Sequence, residues 1–301
     1  MSTILTARGK IQMDSEIKFM EKKKIDLRLI VASAALLILL YFGADSLGTA
    51  VGIDWRETYY PAARAVLEGN NPYLAAPTFR NLPWTLIPML PLAIFSERVS
   101  GDLYFILTLA LYTWVAVRLK ASRVALIAFL LSSPVVYGMR MLNVDALALV
   151  GFILPPQIGL FFILIKPQMG IAMIPFWMFE TWRAGGWRSL LLAFLPATVA
   201  TILSLLIFGT ASIGRSNDLL QSTWNASLWP WAFPIGFALT VLAVRNRRKD
   251  QAMAASPFLS PYLAYHSWVS VLAGLMQRNL ELVLAVIGMW LVAVIRILGY
   301  G

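Results

Sequence analysis

The chain has 301 residues, of which 59% are hydrophobic and only 13% charged, against about 45–50% and about 25% in soluble globular domains. With a mean hydropathy of +0.72, this composition excludes a soluble domain, intrinsic disorder and a secreted disulfide scaffold. The absence of cysteine removes thiol chemistry and thiolate metal sites, and one histidine leaves few ways to build a transition-metal centre.

A hydrocarbon core about 30 Å thick takes about 20 apolar residues per helical crossing, so this length accommodates roughly nine to eleven crossings. The apolar runs are continuous, whereas the strands of a membrane barrel alternate. The predicted fold class is therefore all-α, a polytopic transmembrane helical bundle of about ten membrane helices. The net charge of +10 is concentrated beside apolar segments. Seven basic residues, Arg8 to Arg28, precede the first apolar run, and Arg245, Arg247, Arg248 and Lys249 share one connection. Such clusters read as cytoplasmic anchors facing anionic lipid, not as a nucleic-acid surface.

In chain order, residues 1–28 form a basic cytoplasmic tail and residues 29–301 one membrane domain. The first apolar run, about 29–41, reads as a crossing from the cytoplasm outward. An outer loop, 42–80, follows. Within it, Trp55 to Leu67 reads as an interfacial amphipathic helix, with Tyr59, Tyr60, Ala63, Val66 and Leu67 on one face. Pro61 predicts a kink or a start within it, and Gly69-Asn70-Asn71-Pro72 ends it.

From Asn81 onward the predicted crossings are 82–98, 102–119, 123–139, 143–155, 157–179, 189–208, 229–245 and 251–265, with one or two more to the C-terminus. Prolines interrupt many of them, and in lipid such breaks survive only where the freed backbone faces protein or a wet cavity. A bundle so interrupted encloses a site. Simple alternation puts Arg118, Lys120 and Arg123 outside, against the positive-inside rule. Either one short crossing is re-entrant or the rule is locally overridden. A second outer loop, 209–228, carries Arg215, Asp218 and Gln221 and leaves through Trp224, Trp229 and Trp231, an aromatic belt. Asn225-Ala226-Ser227 within it matches a glycosylation acceptor.

Few polar groups remain for chemistry. Asp54, with Glu57 three residues on, reads as a helix cap of the capping-box kind, or as a carboxylate base at the membrane surface. Arg140, Asn143 and Asp145 form a polar knot that is either a solvated connection or the start of a helix pointing into the bundle. Lys166 lies inside an apolar run, where a lysine is costly unless paired or wetted. It reads as a functional residue or as one half of an ion pair, with Asp145 as partner. His266, among Tyr262, Tyr265 and Trp268, reads as a hydrogen-bonded packing residue or a site residue.

Asp54 followed by Tyr59-Tyr60-Pro61-Ala62-Ala63-Arg64 through Gly69-Asn70-Asn71-Pro72-Tyr73 resembles the first outer loop of the GT-C integral-membrane glycosyltransferases. It is most similar to glycosyltransferase family 87, the polyprenol-phosphate-mannose-dependent mannosyltransferases. Leu82-Pro83-Trp84 through Pro91, Asn143-Val144-Asp145 with Lys166-Pro167-Gln168, and Ser260-Pro261 through His266 and Trp268 agree in order. The resemblance implies that Asp54 is the catalytic base. It implies that His266 lies beside the donor phosphate or acceptor. Lys166, Arg140 and His266 are the candidates for offsetting the phosphate charge, and Asn143, Asp145, Gln168 and Tyr60 are further candidates for binding the donor or substrate.

The implied activity is inverting transfer of a hexose, mannose by the resemblance, from a polyprenyl-monophosphate donor to a lipid or glycan acceptor. It would run on the outer face of the cytoplasmic membrane, with the N-terminus cytoplasmic. The phosphate leaves as a stable anion, so one carboxylate and a few cations suffice. No cofactor, divalent metal or nucleic acid is expected, membrane lipids are the surroundings, and a monomer is expected. The alternatives are a transporter or flippase of a polar lipid and a catalytically silent membrane scaffold.

Overall fold

The computed structural model describes residues 51–209 and 219–298, with Ala35 and Ile38. The cytoplasmic tail, the first predicted crossing and the Arg215–Asp218 part of the second outer loop lie outside the described residues. The described chain is all-helical, and its only extended pairing is a single bridge between Asn225 and Ala264. Among the described residues three helices are long and apolar enough to cross a membrane: Glu97–Arg118, Met173–Phe208 and Asn279–Arg296. A fourth is reached if Arg123–Leu130 and Ser133–Met141, bent by 47°, count as one span.

The amphipathic helix opens as a π-helical turn, Trp55–Tyr59, and continues as α1 (Tyr60–Leu67). Pro61 explains the π turn. It has no N–H to give the Glu57 carbonyl, and its ring crowds that carbonyl, so the ladder widens. The freed Glu57 oxygen accepts instead from Thr78 Oγ1 at 2.8 Å. The wider turn also rotates the buried face. Trp55, Tyr59, Ala62, Ala63 and Ala65 are buried, while Leu67, expected on that face, is 44% exposed. Gly69, at φ +74°, ends the helix as expected.

Residues 82–98 are not a crossing. After α2 (Pro72–Ala75) they form a 3-10 segment, Pro83–Met89, and turns. Both ends of this stretch stay beside the amphipathic helix. Tyr73 Oη donates to Asn81 O at 2.9 Å, Arg64 to Ala93 O at 3.2 Å and Tyr60 Oη to Phe95 O at 3.0 Å. The chain therefore leaves and returns on one side before α3 (Glu97–Arg118) begins next to Trp55.

Because that stretch turns back, Arg118, Lys120 and Arg123 lie away from the Asp54 end of the molecule. They fall at the far end of α3, where Ser122 Oγ donates to Asn279 Oδ1 at 2.6 Å. Arg278 reaches Asp250 at 3.8 Å, Arg248 pairs with Asp250 at 2.6 Å, and Arg247 reaches Glu180 at 3.7 Å. The basic residues of four connections thus share one end of the molecule.

From that end α4 (Arg123–Leu130) and α5 (Ser133–Met141) return to the Asp54 end, where Gly52 N–H caps the exposed Arg140 carbonyl at 2.8 Å. The predicted crossings 143–155 and 157–179 are instead a half-depth hairpin followed by a descending helix. Its arms are α6 (Asp145–Val150), prolonged as 3-10 to Ile153, and α7 (Pro156–Ile163). All six residues of α6 are buried. Gly151 and Gly159 let the arms touch, since a Cβ on Gly159 would sit 2.7 Å from Gly151 O.

After α8 (Pro167–Gly170), α9 (Met173–Phe208) descends to the basic end, breaks at Gly185-Gly186 and climbs back. Gly186 takes φ +64°, a conformation that suits glycine. Then α10 (Phe233–Asn246) descends and α11 (Lys249–Ala255) ascends. The predicted crossing 251–265 is this short helix, a 3-10 turn and a loop. Finally α12 (Val269–Gly274) leads back to the basic end and α13 (Asn279–Ile297) away from it. In the apolar windows of α9 and α13 only 17% and 11% of residues are buried, so both helices present greasy side chains outward.

Candidate functional site

At the end opposite the basic cluster a cavity of about 1690 Å³ opens between the amphipathic helix, α5, α8, the upper part of α9, the 260–266 loop and α13. From Arg188 to the cavity-lining Leu205 is seventeen residues, about 26 Å along α9. The volume exceeds the roughly 300–1,000 Å³ of a pocket for one small ligand.

Asp54 lines this cavity. It is not a cap, because the backbone at Asp54 is already helical and its side chain makes no capping hydrogen bond. Its Oδ2 accepts from the Asn143 side-chain amide instead. No hydrogen bond to Oδ1 is made among the described residues. Asn143 is placed by the left-handed Leu142, φ +53°, which turns the chain out of α5. Its side-chain oxygen accepts from Val144 N–H at 2.7 Å and its carbonyl accepts from Tyr104 Oη at 3.2 Å. The loop that carries Asp54 and the turn that carries Asn143 are further joined by the Gly52–Arg140 hydrogen bond.

Beneath the cavity floor lies a buried polar cluster. Asp145 opens α6 and is wholly buried. Its Oδ1 accepts from Lys166 Nζ at 2.8 Å and from Ser267 Oγ at 2.9 Å, and its Oδ2 is bonded to His266 Nδ1. A carboxylate accepts at both oxygens, so His266 Nδ1 donates to it and fixes the orientation of the ring. The 3.4 Å between Lys166 Nζ and His266 Nδ1 is then the spacing of two donors on one carboxylate. The His266 ring lies against Tyr137 at 5.9 Å and, with Lys166, borders the cavity.

The solvated-connection reading of Asn143 and Asp145 is thus corrected: both are buried, and Asp145 starts a helix directed into the bundle. Lys166 is not a spare cation, because Asp145 neutralises it. Arg140 is exposed into the cavity, with no ion-pair partner among the described residues, and Gln168 also lines it. Tyr60 is absent from the cavity wall, and its hydroxyl donates to Phe95 O. The neighbouring Tyr59 is at the wall in its place.

Sequence reasoning missed Arg296, Arg80 and Asn81, all at the cavity. Arg296 follows Trp290 and Ala293 at helical spacing on α13, and that stripe was its only signal. Asn81 donates to the Ile165 carbonyl beside Lys166, a contact between residues 84 apart with no local mark. Asn225 bridges two loops with its whole amide. It donates to Leu220 O and Pro261 O and accepts from Ser227 N–H and Leu263 N–H. Comparison with protein-family models, with curated proteins and with solved structures found no match.

Proposed function

We propose that this chain is a polytopic GT-C-type membrane glycosyltransferase with fewer crossings than the roughly ten expected from composition. In this reading it moves a hexose, mannose by the resemblance, from a polyprenyl monophosphate to a lipid or glycan acceptor on the outer face of the cytoplasmic membrane. The observation that carries the reading is the Asp54 carboxylate. Asn143 steers one oxygen while the other meets a cavity bordered by Arg140 and Arg296.

In the proposed reaction Asp54 takes the proton of the acceptor hydroxyl as its oxygen attacks the anomeric carbon, and the polyprenyl phosphate departs as an anion. Arg140 and Arg296 offset the phosphate charge, a role better suited to them than to the paired Lys166. His266, with its ring held by Asp145 and Tyr137, borders the cavity and is placed to hydrogen-bond the substrate. Under the positive-inside rule the basic end is cytoplasmic, which supports an outer location for the cavity.

The test is transfer from a polyprenyl-phosphate [14C]mannose to a membrane lipid extract by purified protein. Asp54→Asn is expected to lower the rate by at least about a hundredfold while leaving thermal unfolding unchanged. Undiminished transfer in that variant removes Asp54 from the chemistry. Absence of transfer by the unaltered protein from any polyprenyl-phosphate hexose removes the transferase reading.

A further inference from the structure

A second cavity, about 810 Å³, shares Ile171 with the first and runs from there between the descending half of α9 and α10. Two rows of side chains with i,i+4 spacing face each other across it: Pro175, Phe179 and Arg183 on α9, and Phe237, Val241 and Arg245 on α10. Each row is apolar until its last member, and each ends in an arginine at the basic end. Phe233 heads the second row, twelve residues before Arg245, so the groove is about 18 Å long, close to the ~15 Å of one leaflet's hydrocarbon. The hydroxyl of Thr240 in its wall is spent on Gly236 O at 2.8 Å, which leaves the groove dry in character.

The arginine end is built for an anion. Arg183 is fixed by hydrogen bonds of 2.9 Å to Val244 O and 2.9 Å to Glu180 Oε1, and Arg247 reaches the same Glu180 at 3.7 Å. Three arginines against one carboxylate leave a local charge of +2. Arg245 itself has no ion-pair partner among the described residues and stands exposed at the mouth. Trp182 and Trp187, 54% and 60% exposed, flank Arg183 at this level. Exposed tryptophans of this kind sit at headgroup depth, where phosphates are.

From these rows we infer that the groove is a binding site for an anionic phospholipid: one acyl chain lies along Phe233–Val241 and the headgroup phosphate meets Arg183 and Arg245. The occupant is a lipid rather than a free phosphate because the cations stand only at the end of an apolar track. It is anionic because the local charge is uncompensated. This site is independent of Asp54 and of sugar transfer.

The test is native mass spectrometry of the delipidated full-length protein, titrated with phosphatidylglycerol and with phosphatidylcholine of identical chains. Each basic residue near a lipid surface is worth about fivefold in affinity, so a charge of +2 predicts about thirtyfold tighter binding of phosphatidylglycerol. Arg245→Gln is expected to cut that preference about fivefold, Arg245→Lys to keep it, and Val241→Trp, which fills the groove, to lose both lipids. Asp54→Asn is expected to leave the lipid affinities unchanged. Equal affinity for the two lipids, or a preference untouched by Arg245→Gln, overturns the inference. So does full competition by glycerol phosphate, or unaltered lipid binding in Val241→Trp, the result expected if a segment of this chain fills the groove.

Discussion

Lys166 Nζ sits 2.8 Å from Asp145 Oδ1, joining the two feet of the α6–α7 hairpin across 21 residues of chain. The hairpin rises and falls within the bundle, and its open end is closed by charge rather than by a loop. Both groups are almost wholly buried, so each is retained only by the other and by Ser267 and His266.

Removal of one partner therefore strands the other in a low-dielectric interior. Lys166→Met or Asp145→Leu alone is expected to cost about 3–5 kcal/mol. The double variant is expected to cost clearly less than the sum, because no unpaired charge remains. Thermal unfolding in one fixed detergent measures the cycle, and additive losses would show that the two residues do not interact.

Asn143 holds the carboxylate on which the proposed transfer depends. Asn143→Ala is expected to lower kcat by about ten- to a hundredfold, the range of a small misplacement of a reacting group. KM for the lipid donor should move little, since Asn143 acts through Asp54. A larger change in KM than in kcat would assign Asn143 to donor binding instead.

Gly159 is pressed between Gly151 O and the Trp177 ring, each 2.7 Å from where a Cβ would stand. Gly159→Ala must spread the hairpin arms, with an expected cost of about 1–3 kcal/mol. The same substitution at Gly69, whose Cβ would meet nothing within 4 Å, carries only the strain of its positive φ. Melting temperatures of the two variants separate packing from backbone strain, and equal losses would deny the close contact.

At the basic end Asp250 takes two hydrogen bonds from Arg248, and these hold its carboxyl below the ordinary carboxylate value, aided by Arg278. A lowered folded pKa gives a contribution that is present above the unfolded value, about 4. It disappears as the pH falls through the lower folded value. Because the pair is largely solvated the effect is small. The melting-temperature gap between the parent and Asp250→Asn is expected to be constant from pH 7 to about 5 and to close below about pH 4. A gap that persists at low pH would trace the loss to packing.

Composition and local pattern carried the class of the fold, the amphipathic helix with its Gly69 stop, and the Asp145–Lys166 pairing as one of two readings. Depth was not legible. An apolar run of given length looks the same whether it crosses, as Glu97–Arg118 is long enough to do, or turns back, as 82–96 does. What distinguishes them is a partner well outside the run, Ala93 with Arg64 or Phe95 with Tyr60. The phase of the amphipathic helix is displaced because Pro61 predicts a kink or a helix start, while the chain absorbs it as one wide turn. Arg296 escapes notice in the sequence because nothing in a single terminal helix says what faces it.

The hydrogen bond from Asn143 to Asp54 spans 89 residues, and the one from His266 to Asp145 spans 121. Synthesis at about 5–20 residues per second therefore delivers Asp54 to the membrane several seconds before the residue that aims it. The buried carboxylate of Asp145 waits for its histidine for about as long again. A chain ending short of His266 holds Asp54, Asn143, Asp145 and Lys166 without the histidine that completes the buried cluster. For the proposed transfer, this order of emergence from the ribosome means that the site stays incomplete until His266 has been made.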